Sequence, residues 1–398
     1  MVKDKKNKNC KIMKKVIFGT ALVSMALLSA CSADSELANV GTSANNAIGF
    51  HVVGNKAETR ATPITPDNLT KTDFNVYAYI NNANDDSDGA PFMGGNDTGA
   101  GQKGINISHK GSNWDYTTPS DIRYWPTNGT ELNFYAVNPG STHLFSWIFT
   151  NAKKEITYTC FDEYKKENFT KVNGVNTPTF ANTDVMYAVA KKQTHETNGG
   201  KVKFTFKHIL SQVVFKAKTQ YDNDMEVDIN AVSIHNFKIG GTFTIPEGEP
   251  AQSNWSPNNI NQTSGFTVKK VETNIKVTQS NNAIDISDGP MLFVPQQLKE
   301  WTVPSTIDAA NTAKESYLKI TCKIKQGGAY LYGSDTEYKD LYVPFEANWQ
   351  PGKRYIYTLI FGGGYDKNGN KFLMPINYEA DVDAWDNNTI SSDIDMNK

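Results

Sequence analysis

Short runs of alternating apolar and polar residues fill most of the chain, and helical periodicity is nearly absent. The runs are rich in Thr, Tyr, Phe, Val and Ile, and they are separated by Gly, Asn, Asp and Pro. Period-two alternation is typical of half-buried strands, so the pattern predicts an all-β protein. The predicted strands cover residues 48–53, 74–79, 105–107, 113–116, 123–126, 132–137, 156–160, 184–189, 202–206, 209–215, 227–239, 241–245, 266–268, 275–277, 291–294, 317–324, 342–345, 355–361 and 372–382, with a hairpin turn at Asn368-Gly369 before the last.

The spacing of these strands also predicts the domain organisation. Residues 31–398 are too many for one ordinary sandwich and suit two domains of about 150 to 190 residues each. The polar run Thr194–Gly200 is the candidate boundary. We therefore expect two β-sandwiches in tandem, at residues 47–200 and 201–398, with Asn81–Gly104 as a long loop in the first.

The N-terminal segment has the pattern of a lipoprotein signal. Two lysines precede an apolar run, Val16–Leu28, which has the length of a secretory signal and is too short to span a bilayer permanently. The run ends in Leu28-Ser29-Ala30-Cys31, a lipobox whose cysteine thiol accepts a diacylglyceryl group before cleavage. We expect residues 1–30 to be removed, Cys31 to be the lipidated first residue, and polar residues 31–46 to form a tether.

A predicted strand and a candidate protease site follow the tether. Ile48, Phe50 and Val52 share one face of an alternating segment, as in a half-buried strand. Arg60 precedes Ala61 in a polar, proline-containing stretch that we expect to be exposed and extended, as a protease requires.

Charge and cysteine usage limit the classes of partner and the disulfides that can be expected. The net charge is -2 and the pI is about 6.3, which excludes a basic surface for nucleic acid or anionic lipid. The acyl group alone would hold the membrane. Apart from Cys10 and Cys31, the cysteines are Cys160 and Cys322, one in each half. Two separate buried thiols are favoured, and a disulfide between them stays open.

The sequence carries no motif typical of a catalytic or metal site. No His-x-x-x-His pair and no Gly-x-Ser-x-Gly is present. Asn84–Gly89 imitates the start of an EF-hand loop, but Gly95 stands where the bidentate glutamate is needed. We therefore predict a protein that is not an enzyme, with no catalytic residue, no metal and no cofactor. A looser calcium site in the 81–104 loop stays open.

Single residues that could carry chemistry have simpler explanations. His208 lies on a predicted strand, and we expect it to be half-buried with a hydrogen bond to the backbone. Trp114, Trp255 and Trp301 could stack on sugar rings if exposed, whereas packing in a sandwich core is the favoured role.

In its order of motifs the chain resembles the fimbrillins, pilin lipoproteins of Bacteroidales. The residues that carry the resemblance are the lipobox at Cys31, Ile48-x-Phe50, Thr59-Arg60-Ala61, Phe74–Tyr79, Tyr124-Trp125-Pro126, Phe134-Tyr135-Ala136, Phe204-x-Phe206-x-His208 with Ser211, and Trp349-Gln350-Pro351-Gly352-Lys353-x-Tyr355-x-Tyr357. The resemblance implies two transthyretin-like β-sandwich domains, export as a surface-exposed outer-membrane lipoprotein, cleavage after an arginine, and polymerisation with other pilin subunits by donor-strand exchange.

Donor-strand exchange requires a strand that can leave its groove and a protease site that releases it. Residues Ile48 to Val53 would fill a groove in the precursor and leave after cleavage by an arginine-specific protease. The chain has only three arginines, and Arg123 and Arg354 lie beside predicted strand aromatics, so Arg60 is the obvious target.

The C-terminus supplies a candidate for the replacing strand. Ile390, Ser392, Ile394 and Met396 alternate with polar residues, so we predict a donor strand there, with Ile390, Ile394 and Met396 as its apolar side chains. A frayed tail is the alternative. For the whole protein, a non-polymerising adhesin or glycan-binding lipoprotein at a pilus tip or anchor stays open. A secreted hydrolase also stays open, although the lack of catalytic motifs in the sequence disfavours it.

Overall fold

The structure is a computed structural model of the chain. It describes residues 46–53, 69, 71–94, 104–140, 147–162, 169–172, 175–178, 182–220, 225–258, 262, 264–268, 274–278, 280–287, 289–373 and 377–384. Residues 44–398 form one compact unit. The predicted all-β fold class is confirmed, because strands dominate the described residues.

The described residues before 210 contain thirteen strands. They are β1 (Gly49–Val53), β2 (Asp73–Asn81), β3 (Asp88–Met93), β4 (Ile105–Lys110), β5 (Asn113–Tyr116), β6 (Leu132–Asn138), β7 (Trp147–Thr150), β8 (Glu155–Thr159), β9 (Phe169–Val172), β10 (Val175–Pro178), β11 (Met186–Gln193), β12 (Lys201–Thr205) and β13 (Lys207–His208).

The described residues after 210 contain seventeen further strands and one α-helix. The strands are β14 (Ser211–Thr219), β15 (Met225–His235), β16 (Gly240–Thr244), β17 (Trp255–Pro257), β18 (Phe266–Thr267), β19 (Ile275–Val277), β20 (Ile284–Asp285), β21 (Met291–Phe293), β22 (Gln297–Leu298), β23 (Tyr317–Gln326), β24 (Ala329–Tyr332), β25 (Lys339–Pro344), β26 (Ala347–Asn348), β27 (Lys353–Phe361), β28 (Gly363–Tyr365), β29 (Lys371–Leu373) and β30 (Asn377–Ala384), and the helix is α1 (Ile307–Ala313).

A nine-stranded sheet dominates the first half. Its order is β12-β1-β5-β4-β2-β6-β11-β13, with β3 added to β2. Phe74, Val76 and Ala78 of β2 pack into one core with the residues of β1, whereas Tyr77 and Tyr79 pack into a second core on the opposite face. Because successive side chains of a strand point to opposite faces, the sheet is covered on both sides.

Two sheets of the second half enclose the larger core. One has the order β20-β14-β27-β30 with β21 on β14, and the other has the order β18-β15-β23-β25-β28-β29 with β19 and β24 at its sides. On β15, Val227 and Ile229 are buried before a bulge, and Val232 and Ile234 are buried after it. The bulge inserts one residue, which moves the buried face from odd to even positions.

Strand pairing crosses the predicted domain boundary. β12 and β13 follow residue 200 but pair with first-half strands, and the sheet β17-β16-β8-β7 combines two strands from each side of the boundary. The boundary at residue 200 therefore does not separate the sheets. The division into two tandem domains stays a prediction.

Several local expectations differ from the structure. The predicted loop Asn81–Gly104 contains β3, which pairs with β2. The turn at Asn368-Gly369 joins the short strands β28 and β29 rather than the long strands on either side. No helix was predicted, whereas α1 forms with the Thr306 hydroxyl accepting the Ala309 N–H at 3.2 Å.

Candidate functional site

Strand β1 lies between two strands that are distant in the sequence. It pairs in parallel with β12 over five residues, from Gly49 with Lys201 to Val53 with Thr205. On its other side it pairs with β5 in the antiparallel direction through one residue pair, Phe50 with Trp114. We call the space that β1 occupies, bounded by β12, β5 and residues 123–125, the β1 groove.

The side chains of β1 divide into an inner and an outer face. Ile48 and Phe50 are buried and Val52 is half-buried, and all three pack into the core of the nine-stranded sheet. His51 is exposed, opposite the exposed Lys203 of β12. The alternation predicted for Ile48, Phe50 and Val52 is therefore present, and whether the strand leaves stays a prediction.

Phe50 lies within an aromatic cluster. Its ring is 6.1 Å from Phe204 in a stacked arrangement, 5.5 Å from Tyr116 and 6.3 Å from Phe74 in edge arrangements. Phe204 and Phe74 are themselves 5.8 Å apart, so the groove has an aromatic floor beneath Phe50. Edge and offset contacts of this kind add to the free energy gained from burial.

Residues just before β1 are held by the loop between β5 and β6. The Ile48 N–H donates to the Arg123 carbonyl, and the Trp125 N–H donates to the Asn46 carbonyl, both at 2.9 Å. The Asn46 side-chain amide also donates to the Trp125 carbonyl at 2.9 Å. Ala47 and Tyr124 form the antiparallel bridge between these contacts. One end of the groove is thus closed by backbone pairing.

Hydrogen bonds of the Trp125 and Tyr116 side chains hold the segments that border the β1 groove. The Trp125 indole N–H donates to the Gly200 carbonyl at 2.9 Å, which ties the loop to the residue preceding β12. The Tyr116 hydroxyl accepts the Arg123 N–H at 3.3 Å, and burial raises the pKa of that hydroxyl, so it is neutral at ordinary pH. The groove thus offers apolar side chains and backbone partners, which suits an extended peptide strand.

Departure of β1 would expose a large apolar surface. Burying a side chain such as Ile, Phe or Val contributes about 1.5–3 kcal/mol, so Ile48 and Phe50, with part of Val52, contribute roughly 4–7 kcal/mol. The backbone groups of β12 that face β1 would also lose their partners. An empty groove would therefore present an open sheet edge with an apolar floor, which favours recruitment of another strand.

Several predicted site residues lie outside the described residues. These are the lipidation residue Cys31, the cleavage residues Arg60 and Ala61, and the donor-strand residues Ile390, Ile394 and Met396. Their positions relative to described elements follow from the sequence. Arg60 falls between β1 and Leu69, and the predicted donor strand follows β30, which pairs with β27.

Other candidate chemistry takes structural roles. Trp255 and Trp301 are buried, which excludes them from stacking on a surface sugar. Cys160 and Cys322 are buried and form no disulfide with each other, as favoured, and burial raises the pKa of the Cys322 thiol. His208 was expected to be half-buried with a hydrogen bond to the backbone. In the structure it is buried, and its Nδ1 lies 2.9 Å from the buried Asp184 carboxylate.

The described residues contain neither a metal-binding cluster nor a membrane-spanning helix. No group of three or more His, Cys, Asp or Glu side chains in those residues could hold a metal ion. No helix within the same residues is long and apolar enough to cross a membrane.

Sequence reasoning missed the walls of the groove. Val202 and Phe204 were predicted as strand residues, but nothing local marked them as neighbours of β1. Residues 123–126 were also predicted as a strand, which is wrong, because they lie in the loop between β5 and β6 and pair only through the isolated bridge of Tyr124 with Ala47. A second missed feature is a charge network in which Asp88 lies 3.2 Å from Lys191 and 3.4 Å from Lys154. No spacing in the sequence links these residues, since they come from three separate elements.

Comparison with known proteins identifies the family. The chain is 27% identical over 194 residues to the fimbrium subunit Fim1C of Phocaeicola vulgatus, a match that covers 47% of this chain and 47% of that protein. The chain thus spans about half the length of this curated relative. It also resembles the crystal structure of a fimbrial protein from Bacteroides vulgatus, with a TM-score of 0.54 and 16% identity over 86% of this chain and all of that one.

A further solved structure is the C-terminally truncated tip fimbrial protein Mfa3 of Porphyromonas gingivalis, with a TM-score of 0.38 and 9% identity over 79% of this chain and 94% of that one. The fimbrillin-like family model matches residues 59–379, which is most of the chain. The three similar proteins are a fimbrium subunit, a fimbrial protein and a tip fimbrial protein. The chain belongs to the fimbrillin-like family.

Proposed function

We propose that this chain is a structural pilin that is exported as an outer-membrane lipoprotein and polymerised by donor-strand exchange. In this proposal Cys31 carries the lipid, a protease cuts between Arg60 and Ala61, and β1 then leaves the β1 groove. A strand containing Ile390, Ile394 and Met396 of another subunit takes its place. The protein has no catalytic role and its partners are other pilin subunits.

The observation that carries the proposal is the pairing of β1. The strand contributes Ile48 and Phe50 to the core, yet its described pairing is five residues with β12, one with β5 and a bridge at Ala47. A short strand with a large apolar contribution can be exchanged for another strand of similar alternation without rebuilding the rest of the sheet.

The covalent connection of β1 supports the same proposal. β1 ends at Val53 and the next described residue of the core is Leu69, so the link passes through the stretch that contains Arg60. Cleavage there would leave residues 31–60, including the lipidated Cys31, and among the described residues of this fragment only the β1 segment, residues 46–53, contacts the rest of the chain. Loss of β1 and release from the lipid would then occur together.

The predicted donor fits the groove in pattern. Ile390, Ile394 and Met396 lie on one side of an alternating segment, and the inner face of β1 is also apolar at alternate positions. A strand whose side chains have period two meets the requirement of a groove with an apolar floor and free backbone groups on both walls.

The test of polymerisation compares the full chain with single variants after treatment with an arginine-specific protease. The full chain should give a ladder of oligomers, whereas Arg60→Ala and Ile394→Asp should remain monomeric. Ser391→Asp, which introduces the same charge on the opposite side of the predicted donor, should polymerise normally. Normal fibres from Arg60→Ala or Ile394→Asp would contradict the proposal.

The lipid is tested separately. Cys31→Ala should abolish acyl labelling and membrane fractionation while leaving the protein folded. A folded, lipidated and cleaved protein that never forms oligomers would favour the alternative, an adhesin at the tip or anchor of a fimbria.

A further inference from the structure

Three arginines occur in the chain, and the structure gives two of them different surroundings. Arg354 lies in β27, which is paired with β14 on one side and β30 on the other, so its backbone is enclosed within a sheet. Arg123 lies in the loop between β5 and β6, and its backbone is held partly by residues of the β1 segment. Arg123 and Arg354 therefore present an arginine-specific protease with two differently protected sites.

The protection of Arg123 comes mainly from residues 46–48. The Arg123 carbonyl accepts the Ile48 N–H, and Asn46 exchanges two hydrogen bonds with Trp125, all at 2.9 Å. These bonds pair the segment that contains the Arg123–Tyr124 peptide bond with the start of β1. A protease must bind its substrate as an extended strand with free backbone groups, so this pairing competes with the protease for the same atoms.

The other contacts of this segment do not involve β1. The Arg123 N–H donates to the Tyr116 hydroxyl at 3.3 Å, and the Trp125 side chain is buried in the core of the nine-stranded sheet. The Tyr124 side chain is about half exposed, at 51%. The Arg123 guanidinium is not paired with a carboxylate in any described contact and donates from Nη1 to the carbonyls of Asp121 and Ile122 at 3.0 and 3.2 Å. The Trp125 indole still holds the Gly200 carbonyl, so the loop keeps one anchor when β1 is absent.

We propose that Arg123–Tyr124 is a second cleavage site for an arginine-specific endopeptidase, and that it is closed while a strand fills the β1 groove and open when the groove is empty. Hydrolysis would break the bond between the Arg123 carbonyl carbon and the Tyr124 nitrogen, with water supplying the hydroxyl of the new Arg123 carboxyl group and a proton to the new Tyr124 amine. The inference rests on the proposed function, because in the cell the β1 groove is empty only after β1 has left.

The consequence is a check on assembly. A subunit that loses β1 and receives a donor strand regains backbone partners for residues 123–125 and is protected. A subunit that loses β1 without a donor is cut between β5 and β6, which separates two neighbouring parts of one sheet. The same class of protease that activates the subunit would thus remove subunits that fail to assemble.

The experiment uses the full chain with Arg60→Lys, so that an arginine-specific endopeptidase can cut only at Arg123 or Arg354. In this parent the groove is filled and Arg123 should resist cleavage. Adding Phe50→Asp places a charge in the aromatic floor and should increase the rate of cleavage at Arg123 by at least about tenfold, because proteolysis follows the population of the open form. Mass spectrometry should identify fragments 1–123 and 124–398.

His51→Asp in the same parent is the matched control, since it adds the same charge to the exposed face of β1 and should leave the rate unchanged. Arg354 reports global unfolding and should stay uncut. If Phe50→Asp unfolds the protein, the half-buried Val52→Asp is the milder second variant. Two results would overturn the inference. One is an equal rate of cleavage at Arg123 in the parent, Phe50→Asp and Val52→Asp. The other is cleavage at Arg354 together with Arg123 in both Phe50→Asp and Val52→Asp.

The result of the Arg123 experiment does not depend on cleavage at Arg60. Arg60 is replaced in every chain of this experiment, so failure of the natural chain to be cut at Arg60 or to polymerise would sink the proposed function alone. Failure of Arg123 to open when β1 is loosened would sink the second cleavage site alone.

Discussion

Strands β1 and β14 have similar positions in their sheets but very different attachment. Each is paired in parallel on one side and antiparallel on the other. β1 has five parallel pairs with β12 and one antiparallel pair with β5. β14 has eight parallel pairs with β27, three antiparallel pairs with β21 and two with β20.

Both strands nevertheless bury aromatic side chains in a core. Phe215 of β14 stacks on Tyr357 of its parallel partner at 5.4 Å, and Phe50 of β1 stacks on Phe204 of its parallel partner at 6.1 Å. The apolar anchors are thus alike, whereas the backbone attachment differs. Because a hydrogen bond contributes about 1 kcal/mol net, β14 is fixed by its ladder, whereas β1 depends on its side chains and on its covalent link.

The largest expected effect is that of Phe215→Ala. Phe215 is fully buried, so the substitution leaves a cavity and should lower the free energy of unfolding by about 3–5 kcal/mol. The loss should be the same before and after cleavage at Arg60, because β14 stays in the chain. Urea denaturation of both forms measures it. Lys216→Ala on the outer face of β14 is the control, and a loss that changed on cleavage would contradict the comparison.

Phe50→Ala should have an effect that depends on cleavage. In the uncut chain it should lower the free energy of unfolding by about 2–4 kcal/mol, somewhat less than Phe215→Ala because part of β1 can detach without unfolding the rest. After cleavage it should speed loss of the N-terminal fragment that ends at Arg60 and leave the melting temperature of the remaining body unchanged. Size-exclusion chromatography with calorimetry gives both quantities. His51→Ala should do neither, and an equal loss in both forms would show that β1 is a permanent strand.

Asp184→Asn tests the connection between the two regions. Asp184 pairs with His208 of β13, which lies between the partner of β1 and the start of β14. Removing the charge from this buried hydrogen bond should lower the free energy of unfolding by about 2–3 kcal/mol. Glu249→Gln, whose exposed carboxylate pairs with the adjacent Lys207, is the surface control. If hydrogen exchange increases only in the nine-stranded sheet that contains β1, the β1 and β14 regions unfold independently. If it increases in the sheet of β14 as well, the two regions are coupled.

Asp88→Asn should have the smallest effect, about 1 kcal/mol at neutral pH, before or after loss of β1. Burial raises the pKa of Asp88, but the hydrogen bond with Tyr135 and the charges of Lys191 and Lys154 outweigh burial and hold the pKa below its usual value of 3.8. A lowered pKa means that the stabilisation is present above 3.8 and is lost as the pH falls through the folded value. Denaturation curves of the two proteins should therefore converge in acid. A difference that persisted there would exclude charge as the cause.

Short-range patterns were sufficient for the fold class and for part of the site. Aromatic and β-branched residues in Phe74–Tyr79 and in residues 132–137 predicted strands that the structure contains as β2 and β6, because such side chains favour extended backbone. Alternation of apolar and polar residues predicted the inner face of β1 at Ile48, Phe50 and Val52. It failed for α1, whose seven residues are too few to give a clear helical period.

Only the tertiary structure decided which strands meet. Alternation states which face of a strand is buried but not which partner covers its edge, so β1 could have paired with any strand of the same pattern. Its partner β12 lies about 150 positions further along the chain, and a parallel pair requires a long connection that leaves no local signal. The pairing of His208 with Asp184 and the protection of Arg123 by Ile48 were decided in the same way. Each joins segments that the sequence separates, and only the folded sheets bring them within hydrogen-bond distance.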